Sequence, residues 1–395
     1  MNTQDPIIIA GAARTPIGWF QGQFNDLTAT ELGSVAVKSA LGRAGIAPDK
    51  IETVIMGNVL SAGLRQNPAR QAAHGAGIPF STGAVTVNKL CGSGLMAIGF
   101  AHNALAAGAD SPLVAGGLES MTNAPYLLTK ARSGYRLGNG QVYDHMFYDG
   151  LEDAYEPGQL MGHFAEKTAE QYGFTRAAQD DYAIETLRRA RVAVESGAFE
   201  AEIEPVTIRN RKGETVIRDD ENPLKAQPEK IPTLRPAFGK DGTITPASSS
   251  GIADGASAVV LARRSMAEKL DLPVQAVIRG FTIHSMAPRD FTIAPVPAKQ
   301  KLMERLGWSV GQVDLWEVNE AFAVTAMLAR QELSIPADRL NVNGGACALG
   351  HPVGATGGRL ITTLLYALKA RGGRRGIVSA CIGGGEAIAM ALELP

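Results

Sequence analysis

Runs of apolar residues alternate with longer segments in which apolar positions recur every three or four residues. PIIIAGAART reads as a buried strand, TATELGSVAVKSALGRAG as an amphipathic helix and IETVIMGNVL as another strand. NPARQAAHGAG (helix), AVTVN (strand), GLMAIGFAHNALAAG (helix) and SPLVAGGLES (strand) continue the rhythm. Strand following helix following strand predicts an α/β fold with mostly parallel strands. After about Asn123 the pattern breaks into a stretch richer in charge, Pro and Tyr. Within it GQLMGHFAEKTAEQYGF and TRAAQDDYAIETLRRARVAVESG carry helical periodicity. The α/β pattern resumes at SGIADGASAVVLARR.

The last third repeats the first. AVTVNKLCGSGLMAIGFAHNALAAGADSPLVAGG and RLNVNGG…GATGGRLITTLLYALKARGGRRGIVSAC both place a VN-ended strand before a Gly-rich turn. A helix, a Gly and a β-branched strand follow in each, and RRGIVSACIGGGEAIAMALEL ends the chain with two apolar strands. Two similar halves with an insertion in the first are expected. The boundaries fall at 1–122 plus 250–271 for the first half, 123–249 for the insertion and 272–395 for the second half.

Composition narrows the function classes. The 395 residues include 45 Gly without a Gly-X-Y period, so the glycines mark tight turns of a compact fold. A formal net charge of −1 gives no footprint for nucleic acid or a membrane surface. The opening MNTQDPIIIAGAARTPIG lacks a basic segment and a long apolar core, so it does not read as a signal peptide. Three cysteines, Cys91, Cys347 and Cys381, form no CxxC pair, which argues against a disulfide framework or zinc site and for a reducing, cytoplasmic setting.

Four stretches carry candidate chemistry. Cys91 stands between a strand and a helix with Gly92 and Gly94 after it. It is either a packed cysteine beside flexible glycines or a nucleophile whose thiolate is favoured by unsatisfied N–H groups at a helix start. Ser93 is a rival, but residues 91 and 95 are Cys and Leu, so the G-x-S-x-G elbow is absent. His351 lies between Gly350 and Pro352, before a helix expected near Val353, and suits a base for a thiol. His74, His102, His145, His163 and His284 have no such setting. Cys381 ends an apolar strand ahead of Gly383, Gly384 and Gly385, either a tight turn or a source of oxyanion-binding N–H groups. Asn319 and Glu320 mark a strand-to-helix junction, where Asn caps a helix or serves a site.

VNKLCGSG, WEVNEAFA, GGACALGHPVGATG and CIGGG in this order, with ARTPIG, NPARQAA, VAGGLESM, LRPAF and SGIADGAS, closely resemble the thiolase family over essentially the whole chain. The likeness is strongest to its acetoacetyl-CoA branch, the acetyl-CoA acetyltransferases. The resemblance implies a duplicated βαβαβαββ core of five layers, α-β-α-β-α, with an inserted α+β loop domain on the coenzyme side. It implies a homodimer or homotetramer and ping-pong transfer on coenzyme A thioesters, with no bound cofactor and no metal. The reaction would be the reversible condensation of two acetyl-CoA to acetoacetyl-CoA and CoA.

Carried over by residue, Cys91 takes the acyl group and His351 accepts its proton. Cys381 moves a proton at the substrate α-carbon or to the leaving thiol. His351 with a water held by Asn319 stabilises one oxyanion, and the N–H groups of Cys91 and Gly383 the other. Ser250 meets the pantetheine arm, Leu151, Met161 and Phe322 line the pocket, and Lys230 or its neighbour Lys225 is a candidate for the phosphates. Lys130, Arg132 and Arg136 form a second basic loop, with solvated surface charge as the alternative.

Leu160 stands where the acetoacetyl-CoA branch usually has His. Ser248 replaces an Asn, Phe291 and Thr292 replace a Met-Gly pair, and Pro223 falls where an adenine-contacting Arg is common. These departures motivate an alternative, a degradative 3-ketoacyl-CoA thiolase of broader chain length. A thiolase-like acyl-CoA or lipid binder without turnover has no need of two reactive cysteines.

Overall fold

The computed structural model describes residues 5–210 and 213–395. Its large sheet contains β1 (Ile7–Arg14), β2 (Thr53–Gly57), β3 (Gly83–Val87), β4 (Leu113–Ser120) and β5 (Ala253–Arg263) from the first half. The second half adds β6 (Ala276–Ser285), β7 (Leu315–Val318), β8 (Arg375–Ile382) and β9 (Glu386–Glu393). The helices that position the site are α1 (Ala29–Ala44), α2 (Pro68–Gly75), α3 (Ser93–Ala106), α4 (Met161–Gln171) and α5 (Arg176–Glu195). They continue with α6 (Pro295–Leu306), α7 (Ala323–Leu333) and α8 (Thr356–Arg371).

Strand order is β3-β2-β4-β5-β1-β6-β9-β8-β7. The halves meet through the short antiparallel pairing of Ile8 with Val277 and Ile9 with Ala276. Read outward from that junction, both halves follow the same succession, which bears out the duplication. The outermost strand of the second half is the exception. RLNVN, expected as a strand, contributes only a parallel bridge from Leu340 to Trp316. Asn341 and Gly344 turn to positive φ (45° and 80°), which ends extended pairing. The Asn341 side chain then closes the edge of β7, accepting from Val318 N at 2.8 Å and donating to Val318 O at 2.9 Å.

The expectation of mostly parallel strands is corrected. Parallel ladders join β2 to β3, β2 to β4 and β7 to β8, whereas β4–β5, β5–β1, β6–β9 and β8–β9 are antiparallel. Helical crossovers run the strands of each half in one direction, and the antiparallel return lies among them, β5 between β1 and β4 and β9 between β6 and β8.

Helices α1 and α2 cover the outer face of the first half, and α6 and α7 that of the second. Helices α3 and α8 touch each other and strands of both halves, which makes them the middle of five layers. Their place explains their composition: α1 buries one stripe through Leu32, Ala36, Val37, Ala40 and Ala44, whereas α8 is buried on nearly every side. The starts of α3 and α8 approach backbone to backbone. A Cβ on Gly94 would lie 3.0 Å from Gly354 O, and one on Gly357 would overlap Leu95 N. This contact sets the turn before α3 beside the turn before α8.

The segment between β4 and β5 holds α4, α5 and two small antiparallel ladders, Tyr126–Leu127 with Tyr143–Asp144 and Val206–Asn210 with Gly213–Ile217. A buried ion cluster ties it to β1: Arg14 reaches Glu202 at 2.6 Å and Asp220 at 2.7 Å. Removing one partner of such a cluster strands a buried charge and costs about 3–5 kcal/mol. No helix of the described residues is long and apolar enough to cross a membrane.

Candidate active site

Chain geometry presents Cys91 at the end of β3. Leu90 adopts φ 46°, an uncommon conformation for a non-glycine residue that reverses the backbone after Asn88. Residues Leu90–Gly92 form a single 3₁₀ turn, and α3 begins only at Ser93. Ser93 locks that turn, accepting from Lys89 N at 2.8 Å and donating to Leu90 O at 2.7 Å. The rival nucleophile is therefore a buried turn residue.

Cys91 is half-buried, and burial pushes its thiol up to about 11. The N–H groups of Gly383 and of Cys91 itself pull the other way, and the nearby Glu119 raises it further. The expectation of a resting thiolate is thus corrected: desolvation outweighs the donors at this turn.

His351 is buried and follows the short helix Ala346–Leu349; α8 starts at Thr356, three residues beyond the expected Val353. His351 Nδ1 lies 2.6 Å from Thr356 Oγ1, whose own proton goes to Pro352 O at 3.0 Å. The hydroxyl therefore accepts, Nδ1 carries the proton and Nε2 is left as the basic nitrogen. Asn319 Nδ2 faces Nε2 at 3.4 Å. Burial, with the nearby Arg359 cation, lowers His351 to about 3, so the ring is neutral at pH 7.

Asn319 does not cap α7. That helix starts at Ala323 after Phe322, with no side-chain cap. Its neighbour Glu320 is structural, accepting from Tyr182, Thr186, Asn341 and Cys347 N.

Cys381 lies on β8, fully buried among Phe291, Ala321 and Phe322. Burial first, and then the proximity of Cys91, raises its thiol far above the ordinary value, while the Thr325 hydroxyl favours the thiolate. Gly384 and Gly385, at φ 86° and 89°, turn the chain into β9. A Cβ on Gly383 would lie 3.2 Å from Leu90 and 3.3 Å from Met161.

A cavity of about 190 Å³ brings most of the candidates together. Cys91, Leu151, Met161, Ser250, Phe322, His351 and Gly383 line it, with Asn319 and Cys381 buried behind the wall. Ser250 N donates to Ala321 O and His351 N to Gly251 O, both at 2.9 Å, so three chain segments are stitched side by side. Lys230 is exposed and outside this lining, and Lys225 pairs with Glu221 at 2.5 Å. Lys130, Arg132 and Arg136 are exposed as well. Leu160 and Phe291 do line the cavity; Ser248 is buried in a turn with Thr245, and Thr292 bonds Thr168.

Sequence reasoning gave no role to Phe147, Phe238, Thr356 or Glu119. The last sits in the quoted VAGGLESM. Its carboxylate accepts from Asn58 Nδ2, Val59 N, Leu60 N and Gly354 N at 2.7 to 3.2 Å, pinning the turn after His351.

The order of these parts along the chain matches two family models, the thiolase N-terminal domain over residues 7–265 and the thiolase C-terminal domain over residues 272–394. The chain belongs to the thiolase family. This thiolase is 46% identical over 388 residues to an acetyl-CoA acetyltransferase of Escherichia coli (strain K12), with 98% of each chain covered. It is 45% identical to acetyl-CoA acetyltransferase 2 of Arabidopsis thaliana, covering 100% of this chain and 98% of that one. The crystal structure of the Bacillus anthracis acetyl-CoA acetyltransferase superposes with a TM-score of 0.96 at 37% identity, over the full length of both chains.

Proposed function

We propose that this thiolase is an acetyl-CoA acetyltransferase, an acyltransferase that condenses two acetyl-CoA to acetoacetyl-CoA and CoA and runs the reverse thiolysis. The observation that carries the reading is the convergence of Cys91, His351 and Gly383 on one cavity with Cys381 directly behind it. Cys91 gives its proton to His351 Nε2 as Sγ attacks the thioester carbonyl. The tetrahedral oxyanion collapses, and the departing CoA thiolate takes the proton of Cys381. The resulting Cys381 thiolate removes an α-proton from a second acetyl-CoA. That carbanion attacks the acetyl group on Cys91, and the released Cys91 thiolate recovers its proton from His351. Once protonated, His351 Nε2 becomes a donor beside Asn319, a pair suited to one thioester oxygen; the N–H groups of Cys91 and Gly383 suit the other.

Phe147, Phe238, Phe291 and Phe322 crowd the cavity, which supports a short acyl chain over the broad-chain alternative. Ser250 is the candidate contact for the pantetheine arm. CoA and its thioesters are the expected ligands, in a cytoplasmic homo-oligomer. Phe80, three residues before edge strand β3, and Val85 on it are exposed, which supports assembly with a second copy.

Intact-mass analysis after mixing with acetyl-CoA, followed by peptide mapping, should find one acetyl group on Cys91. A rate series of 3-ketoacyl-CoA thioesters should peak at four carbons. A peak at medium chain length defeats the acetoacetyl preference, and no adduct with no turnover defeats the enzyme.

A further inference from the structure

The proposed cycle needs a thiolate on Cys381 in a place that disfavours one. Cys381 is fully buried, its surroundings are apolar side chains, and Cys91 stands close by. An isolated charge there is strongly destabilised unless an opposite charge accompanies it.

The structure holds a group of the right sign. Lys299, on α6, is completely buried, which is rare for a lysine. Among the described residues no carboxylate pairs with it, and its one hydrogen bond runs from Nζ to Ser379 Oγ at 3.1 Å. Ser379 and Cys381 are two residues apart on β8, so both side chains stand on the same face of the strand, the face that α6 covers. The hydrogen bond to Ser379 thereby anchors the ammonium group one same-face position from Cys381, about 7 Å along the strand.

Arg375, on the same face of β8, pairs with Glu393 of β9 at 3.1 Å. His284 of β6 faces Lys301 at the surface. From α7 the nearest polar group is the Thr325 hydroxyl, which carries no charge. Among the described residues, Cys381 is the one titrating group whose charge acts on Lys299.

From this geometry we infer that Lys299 is the buried counter-charge of the Cys381 thiolate, a positioning residue for the carbon–carbon bond-forming half-reaction. As ammonium it offsets the thiolate that remains after CoA has left with the Cys381 proton. When the thiolate captures the α-proton, the same ammonium offsets the carbanion that replaces it. Its own burial lowers Lys299 to about 7, and a thiolate beside it acts in the opposite direction, so each charge supports the other. The inference rests on Cys381 being the acid/base of the proposed cycle.

The test separates the half-reactions in Lys299→Met, a volume-conserving change that deletes the charge. Acetylation of Cys91 from acetyl-CoA, which calls on Cys381 only to pass a proton to the departing CoA, should slow less than condensation does. Condensation by the isolated acetyl-enzyme should fall about tenfold at pH 7, with its rising limb moved to higher pH by about one unit, since one pK unit is a tenfold change in thiolate. Ser379→Ala, which removes the hydrogen bond of Nζ, should move the limb in the same direction. If Lys299→Met does not fold, Ser379→Ala decides alone.

A limb that stays in place, or equal loss in both half-reactions, overturns the role and leaves Lys299 a packing residue. Cys381→Ser serves as the control. If it condenses at the wild-type rate, the assignment of Cys381 fails. If it is inactive while the lysine and serine variants behave as wild type, only the counter-charge fails.

Discussion

His351 donates from Nδ1 to the Thr356 hydroxyl at 2.6 Å, and that contact leaves Nε2 as the ring nitrogen free to accept a proton. Thr356 belongs to the first turn of α8, so the base is oriented by the helix that also packs α3 against it.

Thr356→Val keeps the shape and removes the acceptor. The ring is then free to adopt the other tautomer, and a lost buried hydrogen bond is worth about 1–3 kcal/mol. Cys91 acetylation should slow about tenfold to a hundredfold while KM for acetyl-CoA changes little. Stopped-flow acetylation with Thr356→Ser as the rescuing variant checks this; equal rates in all three proteins would remove Thr356 from the argument.

The two cysteines should separate kinetically. Cys91→Ala should form no acetyl-enzyme at all. Cys381→Ser should still acetylate Cys91 in large part, yet lose carbon–carbon bond formation by orders of magnitude. Labelled acetyl transfer and acetoacetyl-CoA formation are the two readouts, and a matched loss in both contradicts the division of labour.

With Cys91 raised to about 11 and His351 lowered to about 3, the resting pair is thiol and neutral imidazole across the neutral range. Alkylation of Cys91 by iodoacetamide should therefore keep rising with pH beyond pH 9 and show no plateau near neutrality. A plateau by pH 7 would reveal a thiolate–imidazolium pair.

His351 also links stability to pH. The unfolded chain binds a proton on this ring below about 6.5, whereas the folded chain resists it down to about 3. The ring's contribution is therefore complete above 6.5 and lost as pH falls through that window, by about 1.4 kcal/mol per unit. Glu119 and Glu317, raised by burial to about 7 and about 8, act in the opposite sense over their own windows. Comparing denaturant midpoints of wild type and His351→Gln between pH 7 and 4 isolates the histidine: the wild type should lose its relative advantage as pH falls.

Glu119→Gln replaces an acceptor of four donors with a group that brings its own N–H. The cost should be about 1–3 kcal/mol in unfolding free energy, with slower acetylation because the turn carrying Gly354 loosens. Urea unfolding and acetylation rates measure the two effects.

The turns of the candidate site were legible because Gly, Pro, Cys and His cluster there. Strand direction was not, since apolar runs look alike in parallel and antiparallel ladders. The lost strand at Leu340 hid for a related reason: Asn341 reads as part of VN, and only its positive φ shows that it seals an edge. Cys91 misled in the opposite way, because a local donor pattern is visible in sequence and desolvation is not. Lys299 and Thr356 gave no signal, since what matters about each is the partner it meets across the layers. Lys230 illustrates the limit on surface charge: a basic residue in a suitable loop specifies no address.

The different fates of the two outer strands bear on assembly. β3 keeps only Ala84 O covered, by Asn67 Nδ2 at 3.0 Å, whereas Asn341 closes β7 by bonding both Val318 N and Val318 O. A sheet with two open ends propagates, each added copy offering a fresh edge to the next. A sheet with a single open end is exhausted by one like neighbour, because the pair that forms turns only sealed ends outward. By closing β7, Asn341 removes the second edge that open-ended growth of such a sheet would need.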